Sequence, residues 1–173
     1  PQTLMKHAGL ALHKAKANGK HQVQTFTEAM TAEASYKLFV ESNLRRALVQ
    51  DELAVHYQPK LCLRSGALLG LEALLRWQHP EKGMIRPDQF ISVAEETGLI
   101  IPIGKWVIRQ ACRQVRELAA KGLGDLHMAI NLSPKQFSDP DLVGSIAAIL
   151  HEESIPASQL ELELTESLLL DAT

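Results

Sequence analysis

Two glutamates and one asparagine stand out because each lies near the end of a segment that otherwise has the apolar character of a buried strand. Glu72, Asn131 and Glu163 alternate with aliphatic neighbours, and successive side chains of a strand point to opposite faces. An isolated charge inside a fold is costly unless it is paired or binds a metal. Carboxylate and amide oxygens are the ligands that Mg²⁺ prefers, so the three positions together predict a site for a hard divalent cation.

Each of these positions is also compatible with a purely structural role. Glu72 suits an exposed acid on an edge strand. Asn131 precedes Ser133, which is a good helix N-cap with a proline directly after it. Glu163, together with Glu161 and Glu166, suits a solvated strand end. At each single position the structural alternative stays open. The occurrence of all three residues in one sequence favours the cation site.

The elements that must position these residues follow from hydrophobic periodicity. Two helices are predicted at about 4–17 and 32–49, with a short strand at 21–26 between them. Two strands at 53–63 and 68–77 are predicted to form a hairpin, because a short turn with a glycine joins them. The later predicted elements are helices at 87–97 and 104–121, a strand at 126–132, a helical region at 134–152 and a strand at 160–164.

The alternation of helix and strand after the hairpin favours an α/β fold with a largely parallel sheet. No glycine-rich loop follows a predicted strand, which weakens a Rossmann or P-loop interpretation. A TIM-like (β/α)8 barrel fits better, and such barrels place their sites at the carboxyl ends of the strands. A full barrel needs about 250 residues. The chain has 173 residues, so we expect about half of a barrel, preceded by an N-terminal helical segment.

Composition limits the classes of partner and the compartment. The formal net charge of −2 gives no global reason to expect binding to a DNA or RNA duplex. The sequence contains no signal-peptide pattern and no apolar run long enough to span a membrane. Cys62 and Cys112 are predicted to be reduced thiols, which favours a cytoplasmic location, with any membrane tether of the parent protein lying upstream. Both termini are expected to be fragment boundaries.

A series of motifs makes the prediction more specific. The segment Glu72-Ala73-Leu74-Leu75-Arg76 resembles the signature that names the EAL domain family. The other segments that resemble this family, in the same order, are Tyr57-Gln58-Pro59, Arg76-Trp77-Gln78-His79-Pro80, Pro87-Asp88-Gln89-Phe90-Ile91, Ala94-Glu95-Glu96-Thr97-Gly98, Asn131-Leu132-Ser133 and Glu163-Leu164-Thr165-Glu166. The resemblance extends from about residue 52 to residue 173, and the ordered series is far more specific than any single tripeptide. It implies a TIM-like barrel of the EAL type.

The resemblance implies a phosphodiesterase that opens cyclic di-GMP to linear pGpG with Mg²⁺ or Mn²⁺ in bacterial signalling. The implied metal ligands are Glu72, Asn131 and Glu163, and Glu72 is also implied as a catalytic residue. Glu166 would support the loop near the metals without binding them. The chemistry would be two-metal hydrolysis, in which the metals polarise a phosphate oxygen and activate a water molecule.

The resemblance also implies which residues would contact the substrate. Arg76 would bind a phosphate, for which a planar cation with fixed donors is suited. Gln58 and Leu74 would line the substrate site. The aspartate pair of the family's next motif and the lysine after it are expected beyond Thr173. We therefore predict that this chain alone has little or no activity and is stabilised by pairing with a second copy or a complementary fragment.

The N-terminal segment resembles a second family. Residues 11–20 are similar to the last helix and turn of a GGDEF (diguanylate cyclase) domain. This implies a tandem GGDEF–EAL parent in which residues 1–29 are the tail of the GGDEF domain, residues 30–50 are a linker helix, and residues 51–173 are the N-terminal half of the EAL domain. The alternatives to an active enzyme are a non-catalytic cyclic di-GMP receptor, a dimerisation module, and an unrelated barrel enzyme.

Overall fold

The computed structural model of the chain describes residues 1–124 and 126–164. It divides into two compact units, Pro1–Asn43 and Leu44–Thr173. The first unit contains helix α1, Gln2–Ala17, and most of helix α2, Glu28–Ala47. Both helices were predicted. The ammonium of Lys14 lies 2.7 Å from a carboxylate oxygen of Glu33, which joins α1 to α2 within this unit.

The strand predicted at residues 21–26 is wrong, because this segment has no regular secondary structure. Lys20 and His21 have φ values of 61° and 49°, a left-handed conformation that a strand does not accept. The ring of His7 stacks on that of Phe26, with centroids 3.7 Å apart. The segment therefore packs back on α1 as a loop instead of pairing with another strand.

The second unit is a sheet with helices between its parallel strands, as predicted. Its elements are β1 Leu53–Leu61, β2 Leu68–His79, β3 Gly83–Ile85, α3 Pro87–Thr97, α4 Ile100–Ala120, β4 His127–Leu132, α5 Pro134–Phe137, α6 Leu142–Glu153, a 3-10 turn at Ala157–Gln159 and β5 Leu160–Leu164. The strand order is β1-β2-β4-β5, and β3 pairs with β2 outside this path. The first hairpin is antiparallel, whereas β2, β4 and β5 run parallel to one another.

The turn of the β1–β2 hairpin requires a residue with a positive φ, and a glycine occupies that position. Gly66 has a φ of 71°, which costs a glycine nothing. Its N–H donates to the carbonyl of Cys62 at 2.8 Å, and the N–H of Cys62 donates to the carbonyl of Ala67 at the same distance. This turn sets the register of the hairpin, including the pair of Gln58 with Glu72.

Two helix boundaries differ from the predictions. Helix α4 begins at Ile100 and not near residue 104, because Pro102 lies in the first turn, where its missing N–H costs no hydrogen bond. The helical region predicted at 134–152 is two helices, α5 and α6, separated by residues 138–141. Pro140 lies in this break and disfavours a helical conformation at the residue before it. The short strand β3 was not predicted.

The core lies between the sheet and α4. Val107, Ala111 and Val115 lie on the buried face of α4, as the periodicity predicted. On β2, Trp77 is fully buried and meets the ring of Phe90 edge-on, with centroids 5.5 Å apart. No helix of the described residues is both long and apolar enough to cross a membrane.

Helix α6 is joined to α4 by a buried carboxylate. Glu153, which is 7 % exposed, accepts from Arg113 at 2.9 Å and from Arg116 at 2.7 Å. Burial tends to raise the pKa of Glu153, but the two arginines outweigh it and hold the pKa below its usual value.

Candidate functional site

The register of the sheet brings together the three residues that were predicted as metal ligands. Glu72 on β2 is paired with Ala129 on β4, and Asn131 on β4 is paired with Glu163 on β5. The amide nitrogen of Asn131 donates to Oε1 of Glu72 at 2.6 Å. Two carboxylates and an amide from three adjacent strands therefore share one face of the sheet.

The donor set suits a hard cation. Because Asn131 uses its nitrogen to contact Glu72, its carbonyl oxygen is the amide atom left to act as a ligand. Glu163 is 33 % exposed and Asn131 is exposed, so a cation can reach both from solvent. Within residues 1–124 and 126–164, no three His, Cys, Asp or Glu side chains gather in a metal-binding cluster, and the third donor here is an amide. Glu166 lies outside the described residues.

Lys60 also lies on this face, and the sequence analysis missed it. Its ammonium donates to Oε1 of Glu163 at 2.8 Å and to Oε2 of Glu161 at 3.2 Å. The hydrogen bond to Glu163 is the largest cause of a raised pKa for Lys60. Strand alternation indicated its position, because Lys60 is two residues after Gln58 and so shares its face.

The residues predicted to contact substrate lie around this group. Gln58 is exposed and directly opposite Glu72 in the β1–β2 ladder. Leu74 and Arg76 line a cavity of about 490 Å³ at the ends of β2 and β4. The guanidinium of Arg76 donates to the backbone carbonyl of Leu75 at 2.8 Å. Asn131 lines the same cavity, so the guanidinium and one member of the donor set face a common space.

The cavity extends from the strand ends toward α3 and α4. Its lining is mainly apolar and includes Ile91, Ile103 and Val107. Glu95 of α3 also lines it, and burial raises the pKa of this carboxyl. The cavity therefore combines an apolar wall with a small number of polar groups, which is typical of small-molecule sites.

The loop after Asn131 is held by a reciprocal helix cap. The N–H of Gln136 donates to Oγ of Ser133 at 3.3 Å, and the N–H of Ser133 donates to Oε1 of Gln136 at 3.1 Å. The buried Gln136 side chain fills the space beside Gly104 of α4, where a Cβ would overlap its amide. The predicted N-cap at Ser133 is confirmed, and it coexists with the placement of Asn131 on the polar face.

A buried polar cluster supports the end of β2, and the sequence analysis did not identify it. Glu52, which is 9 % exposed, accepts from the indole N–H of Trp77 at 3.2 Å and from Nε of Arg46 at 3.1 Å. Nδ1 of His79 accepts from the backbone N–H groups of Glu81 and Lys82 at 3.1 and 3.3 Å. These contacts join the last turn of α2 to the strand that carries Glu72 and Arg76.

These features define a class of protein: a domain built from parallel strands and helices with an oxygen-donor site on its strands, as in (β/α)-barrel enzymes. The family model described as "EAL domain" matches residues 41–173. The chain therefore belongs to the EAL domain family, and the family resemblance found in the sequence is confirmed.

Curated relatives extend over nearly the whole chain. It is 44 % identical over 164 residues to the bifunctional diguanylate cyclase/cyclic di-GMP phosphodiesterase MucR of Pseudomonas aeruginosa, in an alignment that covers 95 % of this chain and 24 % of MucR. It is 42 % identical over 168 residues to the cyclic di-GMP phosphodiesterase PdeR of Escherichia coli, covering 97 % of this chain and 25 % of PdeR. The chain thus spans about a quarter of the length of these relatives.

Solved structures confirm the fold. The PaMucR phosphodiesterase in complex with c-di-GMP is 46 % identical and superposes with a TM-score of 0.73, over 77 % of this chain and 55 % of that one. The Xanthomonas citri FimX EAL domain in complex with c-diGMP is 33 % identical with a TM-score of 0.69, over 82 % of this chain and 54 % of that one. The prediction of a partial TIM-like barrel of the EAL type is therefore confirmed.

Proposed function

We propose that the parent of this chain is a metal-dependent phosphodiesterase that hydrolyses cyclic di-GMP to linear pGpG. The observation that carries the proposal is the convergence of Glu72, Asn131 and Glu163 on one face of the sheet in a member of the EAL family. MucR and PdeR are named as cyclic di-GMP phosphodiesterases, which supports the choice of substrate.

In this proposal Glu72, Asn131 and Glu163 hold Mg²⁺ or Mn²⁺ through oxygen atoms. When bound, the metal supplies polarisation of the phosphate and a lowered pKa of the attacking water. The protein's own part is positioning. The Asn131–Glu72 hydrogen bond orients both side chains, and the cap between Ser133 and Gln136 holds the backbone that follows Asn131. Glu166 is proposed to support the adjacent loop.

The substrate residues are proposed from their positions around the donor set. Arg76 presents a guanidinium at the cavity where a phosphate of the dinucleotide would enter. Gln58 faces Glu72 across the hairpin and Leu74 lines the cavity, so both suit contacts with the rest of the nucleotide. The guanidinium of Arg76 donates to a backbone carbonyl at 2.8 Å, so phosphate binding would compete with a weak neutral acceptor.

We further propose that this chain alone has little turnover. The superposition on the solved PaMucR phosphodiesterase covers 55 % of that structure. Two-metal hydrolysis needs ligands for both ions. A homodimer or a complementary fragment is the proposed route to a stable, complete site.

The domain organisation is also proposed. Residues 1–29 are assigned to the tail of a GGDEF domain, residues 30–50 to a linker helix and residues 51–173 to the EAL half. The alignment to MucR, a bifunctional cyclase and phosphodiesterase, supports this because it covers 95 % of the chain and so includes most of the N-terminal unit. Two free cysteines support a cytoplasmic location.

The test is a cyclic di-GMP hydrolysis assay on the parent protein with Mn²⁺, using Glu72→Gln and Asn131→Ala. We expect each variant to lose about 100-fold or more in turnover, because each removes a metal ligand. Glu81→Gln is the matched control, since it neutralises an exposed acid just beyond β2 and leaves the donor set intact. Full activity in the Glu72→Gln variant would contradict the proposed site.

A non-catalytic receptor is the second candidate, because the FimX EAL domain was solved in complex with c-diGMP. The same assay separates the two functions. A receptor predicts tight binding of cyclic di-GMP by the unmodified parent with no pGpG formed at saturating Mn²⁺.

A further inference from the structure

Lys60 links the two ends of the strand path. The order β1-β2-β4-β5 places two strands between Lys60 on β1 and its partners on β5. Two of the residues between them on this face are small, and His127, which is in register with Gly70 on β4, is exposed to solvent. Gly70, opposite Lys60 on β2, has no side chain, and Ala129, in register with Glu161 on β4, has a short one. The ammonium thereby reaches Glu163, which the proposed function assigns as a metal ligand.

We propose that Lys60 is the resident cation of this carboxylate face and competes with the divalent metal for Glu163. The inference rests on the proposed metal site, and its evidence is the 2.8 Å contact between the Lys60 ammonium and Oε1 of Glu163. The Lys60 ammonium neutralises part of the negative charge that the metal would use, and an ammonium beside a dication is repelled. Metal binding and the Lys60–Glu163 contact therefore weaken each other, and the metal favours movement of the Lys60 side chain away from Glu163.

The geometry makes this displacement easy. Lys60 is 39 % exposed, so its ammonium can return to water without crossing the core. Its long stem is flexible, and exposed ion pairs contribute little to stability. Glu161, at 3.2 Å, offers a second carboxylate that can retain the ammonium after Glu163 is taken by the metal. Lys60 is thus a positioning residue that sets the metal affinity of the site.

The test is a Mn²⁺ titration of the parent protein, which carries this chain either unmodified or with one substitution, with free Mn²⁺ measured by electron paramagnetic resonance. Lys60→Met should bind Mn²⁺ about tenfold more tightly than the unmodified chain, because a competing charge is removed. Lys60→Arg keeps the charge and should stay within about twofold of the unmodified chain. Lys105→Met is the matched control, since Lys105 is 37 % exposed and lies 3.0 Å from Asp141. Lys60→Gln serves if the methionine variant does not fold.

Equal Mn²⁺ affinity in Lys60→Met and the unmodified chain would overturn the competition while leaving the metal site standing. The absence of Mn²⁺ binding in both would overturn the metal site and the competition. Acylation of lysines without added metal then tests the Lys60–Glu163 contact separately from the metal site. Lys60 should react more slowly than Lys105, and Glu163→Gln should accelerate Lys60 alone. An unchanged Lys60 rate in that variant would show that Glu163 does not hold Lys60.

Discussion

Replacement of Glu52 by alanine tests whether the buried cluster at the end of β2 supports the fold. Glu52 accepts from the indole N–H of Trp77, a side chain with no exposed surface, and from Arg46 in the last turn of α2. The variant removes both acceptor oxygens. Trp77 then loses the carboxylate that receives its hydrogen bond, in a place that solvent does not reach.

The expected loss of stability follows from the burial of the groups that Glu52 contacts. Removing the acceptor from a buried donor costs about 1–3 kcal/mol. The ion pair adds about 0.2–1 kcal/mol, because Arg46 is itself 42 % exposed and the pair is partly solvated. The two contributions together predict a loss of about 1–4 kcal/mol in the free energy of unfolding. Glu52→Gln keeps an oxygen acceptor for Trp77, so it should lose only about 1 kcal/mol, from the ion pair.

The assay is equilibrium unfolding in urea followed by tryptophan fluorescence. With a slope of about 2 kcal/mol per molar, Glu52→Ala should lower the midpoint by about 0.5–2 M. Glu152→Ala is the control, because it breaks the Arg109–Glu152 ion pair of 2.9 Å, whose members are 35 % and 56 % exposed. That pair should contribute at most about 1 kcal/mol. Equal midpoints for the two alanine variants would refute the role of the buried cluster.

Three further predictions follow from the second unit. Gly104→Ala should destabilise by about 1–3 kcal/mol in urea unfolding, because its Cβ overlaps the Gln136 amide; an unchanged midpoint would show that the cap relaxes freely. Iodoacetamide at pH 8 should label Cys62 before Cys112, because burial raises the pKa of Cys112 to about 11 whereas a hydrogen bond from a neighbouring serine lowers that of Cys62; mass spectrometry should find equal labelling only in urea. Since the folded-state pKa of Glu153 is lowered, its contribution is present above the ordinary carboxyl pKa and is lost as the pH falls through the folded value; the difference in stability from Glu153→Gln should therefore shrink in acid, and a constant difference would contradict this.

Elements with local signals were predicted well. Helix α3 begins at Pro87 and is capped by Gly98, whose φ of 78° matches the left-handed conformation that ends a helix. Strand β5 has the predicted bounds, because alternation of leucine and glutamate is a local pattern. Strand β3 was missed because it has only three residues, which is too short for a periodic pattern. It forms only through its pairing with β2. The prediction of a strand at 21–26 was wrong for the converse reason, since none of the strands in the described part of the chain pairs with this segment.

The types of the site residues and the face of the strand that each occupies were readable from the sequence. Alternation along each strand placed Glu72, Asn131 and Glu163 on polar faces, and the ordered motifs indicated the family. Alternation acts within one strand, however, and says nothing about register between strands. Only the folded sheet decided that Asn131 contacts Glu72 and that Lys60 reaches Glu163, because these contacts join residues 59 and 103 positions apart. The sequence determined the donors, and tertiary structure decided which of them meet.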